Sequence, residues 1–241
     1  MNIPWEQFRL WLNKTPDIAE VEVPVTRRSV KLLLIRHGES EMNTSPELIC
    51  GRSNSSELTN RGWEEALVLG ARLKKLGIQP DEIYSSPAVR TIQTANITLE
   101  QMDLTEKPVE RPELLEISMG EWTGQERKII YTPRQLAEIE EKKSDFRPPG
   151  GESQRDVERR MAKFVDELVT NGGKENATIL VFTHGIAIRC LLRWVLDAGP
   201  VAVLHTSLAN TSITELEYKA SARGDFAGWH LKRMNDSAHL E

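Results

Sequence analysis

Two segments of the sequence pair a short apolar run with a histidine and a glycine. They are VKLLLIR at residues 30–36, followed by His37 and Gly38, and ATILVF at residues 177–182, followed by Thr183, His184 and Gly185. Apolar runs of this length, rich in β-favouring residues, predict buried strands. Open α/β sheets bind ligands at the carboxyl ends of their strands. The two histidines are therefore candidates for one site.

The first segment has the residue types that bind and attack phosphate. We expect a turn and a helix after Gly38, where helix N–H groups attract phosphate oxygens and the glycine lets the backbone approach closely. The guanidinium of Arg36 can donate to two of those oxygens. A neutral imidazole, with an ordinary pKa of about 6.5, is a nucleophile near pH 7. Taken alone, the Arg36-His37-Gly38 tripeptide indicates a structural turn more often than a catalytic one.

Strands and helices alternate along the chain between and after these segments. Helical spacing covers residues 58–76, 88–100 and 152–171, and short strands are predicted at 81–86, 211–218 and 228–235. Thr59 is a plausible N-cap of the first helix and Gly77 its stop. This order predicts an α/β three-layer sandwich, with a mostly parallel central sheet, helices on both faces and an antiparallel pair at one edge.

Composition narrows the class of protein. The formal net charge of -5 and the pI near 5.7 argue against a nucleic-acid partner, because such modules usually carry a basic excess. Cys50 and Cys190 form no CxxC motif, which fits a reducing compartment. The amino terminus lacks the pattern of a signal peptide, and nothing later has membrane-spanning length. We expect a cytoplasmic protein with no membrane partner.

The domain organisation is predicted to be simple. Residues 29–241 form a single domain, and residues 1–28 form an extension before the first strand. Within the extension we expect Trp5, Phe8, Trp11 and Leu12 to form one face of a short helix, which is more often packed on the domain than used to bind a partner. That apolar face is also compatible with a homodimer.

Six ordered blocks of the sequence resemble one known family. They are LLLIRHGESEMN from residue 32, LTNRGWEEA from 58, YSSPAVRTIQTA from 84, LLEISMGEWTG from 114, PPGGES from 148 and VFTHGIAIR from 181. Together they are similar to the histidine phosphatase superfamily, which includes phosphoglycerate mutases and many phosphatases. The resemblance implies a phosphoglycerate mutase-like fold and an enzyme that passes a phosphoryl group through a phosphohistidine.

The resemblance also assigns roles to individual residues. His37 is similar to the phosphorylated nucleophile, Arg36 and Arg90 to phosphate-binding arginines, and His184 to the residue that completes the pocket. Guanidinium groups and a second imidazole suit the charge that spreads over the phosphoryl oxygens during transfer. Gly38, Gly185 and Asn43 are predicted to contact the substrate. Asn43 is an equally good candidate for capping the local turn.

The departing alkoxide needs a proton, and a carboxylic acid in a partly desolvated pocket can supply it. Glu116 matches the acid of the family, and Glu121, five residues later, is its rival. We expect Glu116 to act first as the acid and then as the base that activates water.

Three functions remain open at this point. The favoured one is a metal-independent phosphomonoesterase of the histidine acid phosphatase type, without a cofactor and with a small phosphorylated metabolite as substrate. The second is a cofactor-dependent phosphoglycerate mutase, for which Arg127, Lys128 and Arg134 offer basic contacts. The third is an inactive binding protein on the same fold, and the intact set of polar residues weighs against it.

Overall fold

The computed structural model describes residues 29–171, 173–220 and 227–241, so the predicted N-terminal helix lies outside the described residues. In these ranges the strands form one six-stranded sheet in the order β3-β2-β4-β1-β5-β6. The strands are β1 Val30–Arg36, β2 Glu82–Ser85, β3 Val109–Glu110, β4 Ala177–Thr183, β5 Ile213–Lys219 and β6 Gly228–Asp236. Strands β1 to β4 pair in parallel, whereas β5 and β6 are antiparallel and close one edge.

Six α-helices connect and cover these strands in the described ranges. They are α1 Asn60–Lys75, α2 Val89–Gln101, α3 Arg127–Ile130, α4 Pro133–Lys142, α5 Gln154–Thr170 and α6 Gly185–Val195. Helix α1 begins where predicted, because the hydroxyl of Thr59 accepts a hydrogen bond from the backbone N–H of Gly62. None of the described helices is long and apolar enough to cross a lipid bilayer.

The sheet separates two apolar cores, one on each face. Leu32 and Leu34 of β1 point to the face covered by α5 and α6, where Phe164 is fully buried. Leu33 and Ile35 point to the opposite face, which α1 and α2 cover. Alternate residues of a strand face opposite sides, so a wholly apolar strand must be buried on both. The predicted three-layer α/β sandwich with a mostly parallel sheet is confirmed.

The segment after β1 differs from our expectation of a turn and a helix. A single 3₁₀ turn, Glu41–Thr44, follows His37, and the next α-helix begins only at Asn60. Pro46 explains the early stop, because a proline disfavours the helical conformation of the residue before it, and Ser45 has φ −113° and ψ 68°. The helix that begins at the carboxyl edge directly after a strand is α6, which follows β4 and His184.

Candidate active site

A cavity of about 290 Å³ opens at the carboxyl ends of β1 and β4. The in-register pairing of Arg36 with Thr183 places the residues that follow each strand side by side. Of the eight predicted site residues, six line this cavity, namely Arg36, His37, Asn43, Arg90, Glu116 and Gly185. Gly38 and His184 lie behind its wall. The two strand ends, the loop after β3 and helix α2 therefore supply one shared site.

His37 is held in one tautomer. Its Nδ1 lies 2.7 Å from the carbonyl oxygen of Gly38, which can only accept, so Nδ1 carries the proton. Its Nε2 lies 3.2 Å from Nε of Arg90, which can only donate, so Nε2 keeps its lone pair. Burial, followed by the positive charges of Arg90 and Arg36, lowers the pKa of His37 well below its ordinary value. The ring is therefore neutral and nucleophilic at Nε2.

Arg90 is the centre of the hydrogen-bond network and is almost completely buried. Besides its contact with His37, it donates to the carbonyl oxygens of Ser53 at 2.7 Å and Arg52 at 3.0 Å. It also donates from Nη2 to Nδ1 of His184 at 3.1 Å. Four acceptors thus fix the plane of the guanidinium, and one N–H of Nη1 stays available to a ligand.

His184 is completely buried and contacts the cavity only through its neighbours. Because Arg90 donates to its Nδ1, the proton lies on Nε2 and is donated to the hydroxyl of Ser86 at 2.8 Å. Its ring meets that of His37 edge-on, with centroids 5.2 Å apart. Burial and then the charge of Arg90 lower its pKa well below the ordinary value. In this arrangement His184 orients Arg90, and a direct contact with substrate stays a prediction.

Arg36 has donors left over for an anion. One nitrogen, Nη1, donates to the carbonyl oxygen of Leu208 at 2.5 Å. The Nε is buried and has no partner in the part of the chain that the structure describes. Burial lowers the pKa of Arg36 from its ordinary value, although an arginine stays charged in a protein. An unpaired buried donor beside a cavity is expected where a ligand completes the hydrogen bonding.

Glu116 lies at the amino terminus of α6. Its carboxylate accepts hydrogen bonds from the backbone N–H groups of Ile117 at 2.9 Å, Ile186 at 3.1 Å and Ala187 at 3.2 Å. These donors and the positive end of the helix stabilise a negative charge there. The rival, Glu121, is exposed and does not line the cavity. The geometry thus favours Glu116 over Glu121 as the carboxylate of the site.

Two arginines fix the loop that carries Glu116. Arg52 donates to the carbonyl oxygen of Glu116 at 3.1 Å, and Arg160 donates to the same oxygen at 3.2 Å. Both also pair with the carboxylate of Glu152, at 2.9 Å and 3.1 Å. The sequence analysis did not identify this clamp, because one acceptor is a backbone carbonyl oxygen, which every residue has, and the other, Glu152, lies 100 positions from Arg52 in the chain.

Asn43 caps its own turn and faces a residue that the sequence analysis missed. Its Oδ1 accepts from the backbone N–H of Ser40 at 3.1 Å, as the capping alternative predicts. Asn210 donates from Nδ2 to the carbonyl oxygen of His37 at 3.0 Å and to Oδ1 of Asn43 at 3.4 Å. The acceptor of Asn43 is thereby occupied, and its own NH₂ group stays available on the cavity wall.

The two predicted glycines have different surroundings. Gly38 donates its N–H to the hydroxyl of Thr94 at 3.0 Å, and a Cβ there would lie 2.6 Å from the carbonyl oxygen of Gly62. The close approach that Gly38 permits in this structure is therefore to helix α1, not to the cavity. Gly185 lines the cavity, and a Cβ there would meet only the side chain of Arg36, at 3.4 Å.

Arg189 is a further cation on the cavity wall that the sequence analysis did not single out. It donates from Nε to the carbonyl oxygen of Gly185 at 3.3 Å and from Nη1 to those of Val203 at 2.9 Å and Thr206 at 3.0 Å. The available signal was its position four residues after Gly185, since residues four apart share one face of a helix.

Comparison with known proteins places this site in a family. The model of the histidine phosphatase superfamily (branch 1) matches residues 32–237. A "Probable phosphoglycerate mutase GpmB" from Yersinia enterocolitica is 31% identical over 225 residues, covering 88% of this chain and 95% of the relative. The solved structure of YhfR from Bacillus stearothermophilus has a TM-score of 0.74 at 27% identity, covering 88% of this chain and 100% of that one.

A phosphatase is also among the similar structures. A mycobacterial glucosyl-3-phosphoglycerate phosphatase has a TM-score of 0.73 at 26% identity, covering 87% of this chain and 100% of that one. The match of the family model extends from β1 to the C-terminal strand and contains every residue that lines the cavity. The resemblance seen in the six sequence blocks is confirmed, and the chain belongs to the histidine phosphatase superfamily, branch 1.

Proposed function

We propose that the protein is a phosphomonoester hydrolase that works through a covalent phosphohistidine on His37. The observation that carries the proposal is the lone pair on Nε2 of a neutral imidazole, fixed by opposite partners on its two nitrogens, in a cavity with three arginines. A nucleophile held among fixed cations suits attack on a phosphoryl group whose developing charge needs stabilisation.

The first step transfers the phosphoryl group to the protein. Nε2 of His37 attacks phosphorus, the bond between phosphorus and the ester oxygen breaks, and the departing alkoxide takes a proton from Glu116. The incoming phosphoryl group replaces His37 as the acceptor of the Arg90 Nε proton, and the unpaired Nε of Arg36 supplies a second donor. In the second step water attacks the phosphorus while Glu116 takes a proton from it, the bond between phosphorus and Nε2 of His37 breaks, and inorganic phosphate leaves.

The contacts of Glu116 suit it to both steps. Three backbone N–H groups donate to its carboxylate and hold it on the cavity wall that also carries His37. From this position the carboxyl group gives a proton to the departing alkoxide in the first step and takes one from water in the second.

Hydrolysis is favoured over the mutase reaction because the cations that a mutase would need lie outside the cavity. None of Arg127, Lys128 and Arg134, the basic residues that the mutase alternative offered, lines the cavity. Arg127 donates to the carbonyl oxygens of Pro46 and Leu48, and Lys128 pairs with Glu126 at 2.6 Å. A mutase would need such cations to hold the acid group of its substrate. The 31% identical mutase relative keeps this alternative as an outcome of the test.

The proposal includes a metal-independent reaction, since Arg36, Arg90 and Arg189 provide the positive charge that a metal would otherwise supply. It also keeps a cytoplasmic location, which the two free cysteines of the described residues support. A small phosphorylated metabolite fits the size of the cavity.

Activity is tested with p-nitrophenyl phosphate in the presence of EDTA, with phosphate release as the readout. We expect turnover by the wild type and none by His37→Ala, whose folding is checked by circular dichroism. Equal rates in the two proteins would overturn the nucleophilic role. 3-Phosphoglycerate with and without its bisphosphate tests the mutase alternative, and conversion to 2-phosphoglycerate would decide for it.

The intermediate is tested by rapid quenching with radiolabelled substrate. A phosphohistidine is labile in acid and stable in base, so label should stay on the protein only after an alkaline quench. Label that survives acid would indicate a phosphoserine instead. Glu116→Gln should slow esters with poor leaving groups more than activated aryl esters, and equal slowing would place the acid elsewhere.

A further inference from the structure

The carbonyl oxygen of His37 is fixed by the segment that enters β5. Asn210 donates to it from Nδ2 at 3.0 Å, and the backbone N–H of Thr211 donates to it at 3.3 Å. These two donors occupy both lone pairs of the oxygen. At the other side of the same peptide bond, the N–H of Gly38 donates to the hydroxyl of Thr94 at 3.0 Å. The peptide bond between His37 and Gly38 is therefore held at both of its ends.

This peptide bond sets the direction of the next carbonyl group, which belongs to Gly38. The oxygen of Gly38 lies 2.7 Å from Nδ1 of His37 and accepts its hydrogen bond, which leaves the lone pair on Nε2. Rotation of the peptide plane would carry this oxygen away from Nδ1. The imidazole would then keep only Arg90 of the two partners that fix it. The donors at positions 210 and 211 therefore act on the ring through the backbone.

Thr211 has a backbone conformation that a threonine seldom adopts. Its φ is 54°, in the left-handed region, where a β-branched side chain crowds its own backbone. The residue is completely buried, so protein contacts must maintain this conformation. Such residues persist only where neighbouring contacts impose them, and they cluster at functional sites. In this conformation the N–H of Thr211 reaches the carbonyl oxygen of His37.

His239, near the C-terminus, holds the hydroxyl of Thr211. Burial, followed by the charge of Arg72, lowers the pKa of His239 to about 4, so its ring is neutral at pH 7. Arg72 of α1 can only donate and lies 3.3 Å from Nδ1 of His239, so the ring proton lies on Nε2. Nε2 donates to the Thr211 hydroxyl at 3.0 Å, and that hydroxyl donates to the carbonyl oxygen of Asn210 at 2.8 Å. A continuous series of hydrogen bonds thus runs from α1 to the segment that enters β5.

We propose that Asn210 and Thr211 are positioning residues, which act on the nucleophile His37 by fixing the peptide bond that follows it. The inference rests on the proposed function for the nucleophilic role of His37. Neither Asn210 nor Thr211 lines the cavity, and neither contacts the arginines that would bind the phosphoryl group. Their substitution should therefore slow the attack on phosphorus and leave substrate binding nearly unchanged.

Two substitutions of Thr211 form a matched pair. Thr211→Val keeps the branched shape and removes the hydroxyl, so the left-handed backbone loses the hydrogen bonds that maintain it. Thr211→Ser keeps the hydroxyl. The readout is the single-turnover rate of phosphoryl transfer to His37 from saturating p-nitrophenyl phosphate. We expect Thr211→Val to lower this rate by about 10- to 100-fold, with KM and the rate of Thr211→Ser both within about threefold of the wild type. Equal rates in the two variants, or a change confined to KM, overturn the inference.

Asn210→Ala gives an independent test that leaves the residue at position 211 unaltered. It removes one of the two donors to the carbonyl oxygen of His37, so the same rate should fall by about tenfold. Asn96→Ala is the matched control, because this asparagine is exposed on α2 and lies outside the cavity, and its rate should equal that of the wild type. Circular dichroism checks the folding of each variant. A wild-type rate in Asn210→Ala overturns the inference whether or not Thr211→Val folds.

A spectroscopic readout separates this inference from the proposed function. The Nδ1 proton of His37 is buried and hydrogen-bonded, so it should give a downfield proton resonance that is absent from His37→Ala. In Thr211→Val and Asn210→Ala this resonance should move upfield or broaden, because the Gly38 carbonyl oxygen is released. An unchanged resonance in both variants overturns the inference even where the wild type hydrolyses its substrate. A shifted resonance in a protein that releases no phosphate overturns the hydrolysis alone.

Discussion

Replacing Arg90 with lysine separates the charge of this residue from its shape. The guanidinium spans four acceptors, with contacts of 3.2 Å to His37, 3.1 Å to His184, 2.7 Å to the Ser53 carbonyl and 3.0 Å to the Arg52 carbonyl. A lysine has one nitrogen at the end of a flexible chain and cannot reach both the two imidazoles and the two carbonyl oxygens. The positive charge stays, but the fixed array of donors is lost.

The expected loss of activity and stability in Arg90→Lys follows from the number of hydrogen bonds that it removes. Loss of a preorganised donor to a developing oxyanion typically costs a factor of about 10² to 10³ in rate, or about 2.7–4 kcal/mol. We therefore expect Arg90→Lys to lower kcat/KM for p-nitrophenyl phosphate by at least about a hundredfold. Buried acceptors left without donors should also lower the free energy of unfolding by about 2–4 kcal/mol.

Steady-state kinetics and urea denaturation measure the two effects on the same preparation. Arg134→Lys is the matched control, because this arginine is exposed and lies outside the cavity. Its kcat/KM and unfolding free energy should equal those of the wild type. A folded Arg90→Lys enzyme within tenfold of the wild type would refute the argument, because charge alone would then suffice at this position.

Three further outcomes follow from the structure. Burial and then the neighbouring arginines lower the pKa of His37, so its ring should show no NMR titration between pH 7.5 and 6, and a midpoint near 6.5 would contradict this. Burial, followed by the charge of Arg72, lowers the pKa of His239 to about 4, so the unfolded chain binds its proton first and stability is lost as pH falls from about 6.5 towards 4. At pH 5 this linkage lowers the free energy of unfolding by about 2 kcal/mol, which solvent screening reduces to about 1 kcal/mol for a half-buried ring. Between pH 7.5 and 5, urea denaturation should show that His239→Gln loses about 1 kcal/mol less unfolding free energy than the wild type. Equal losses in the two proteins would contradict this assignment. In Gly62→Ala the new Cβ would lie 2.0 Å from the Glu39 carbonyl oxygen. Its Tm should therefore fall, with a loss of about 1–3 kcal/mol in the free energy of unfolding. Gly199→Ala is the control, because a Cβ there has no neighbour within 4 Å, and its Tm should equal that of the wild type.

The strands and helices that position the site are predictable because local chemistry specifies them. β1 and β4 are apolar on both faces and end at a histidine, and the structure has them at Val30–Arg36 and Ala177–Thr183. The helix that we predicted at 152–171 begins with a capping box between Ser153 and Asp156, and the structure places it at Gln154–Thr170. Where the spacing of apolar residues and the capping residues agree, the sequence alone predicts both the helix or strand and its boundaries.

The interior of the site was less predictable, and for a physical reason. The carbonyl oxygens of Ser53, Leu208 and Glu116 hold the arginines, and every residue has a carbonyl oxygen. Which of them becomes an acceptor depends on segments distant in the chain, as with Arg36 and Leu208, which are 172 positions apart. Asn210 was missed for the same reason, because its partner is the backbone of His37.

The pairing of β1 with β4 fixes the distance between the rings of His37 and His184. Adjacent strands of any sheet lie about 4.8 Å apart, and each imidazole belongs to the first residue beyond a pair of facing strand ends. The 5.2 Å between the ring centroids therefore follows from the backbone hydrogen bonds that join the two strands. Insertions or deletions in the surface loops can therefore reshape the cavity without moving the two rings. Under the proposed function, changes in these loops would alter the substrate specificity while the two histidines keep their spacing.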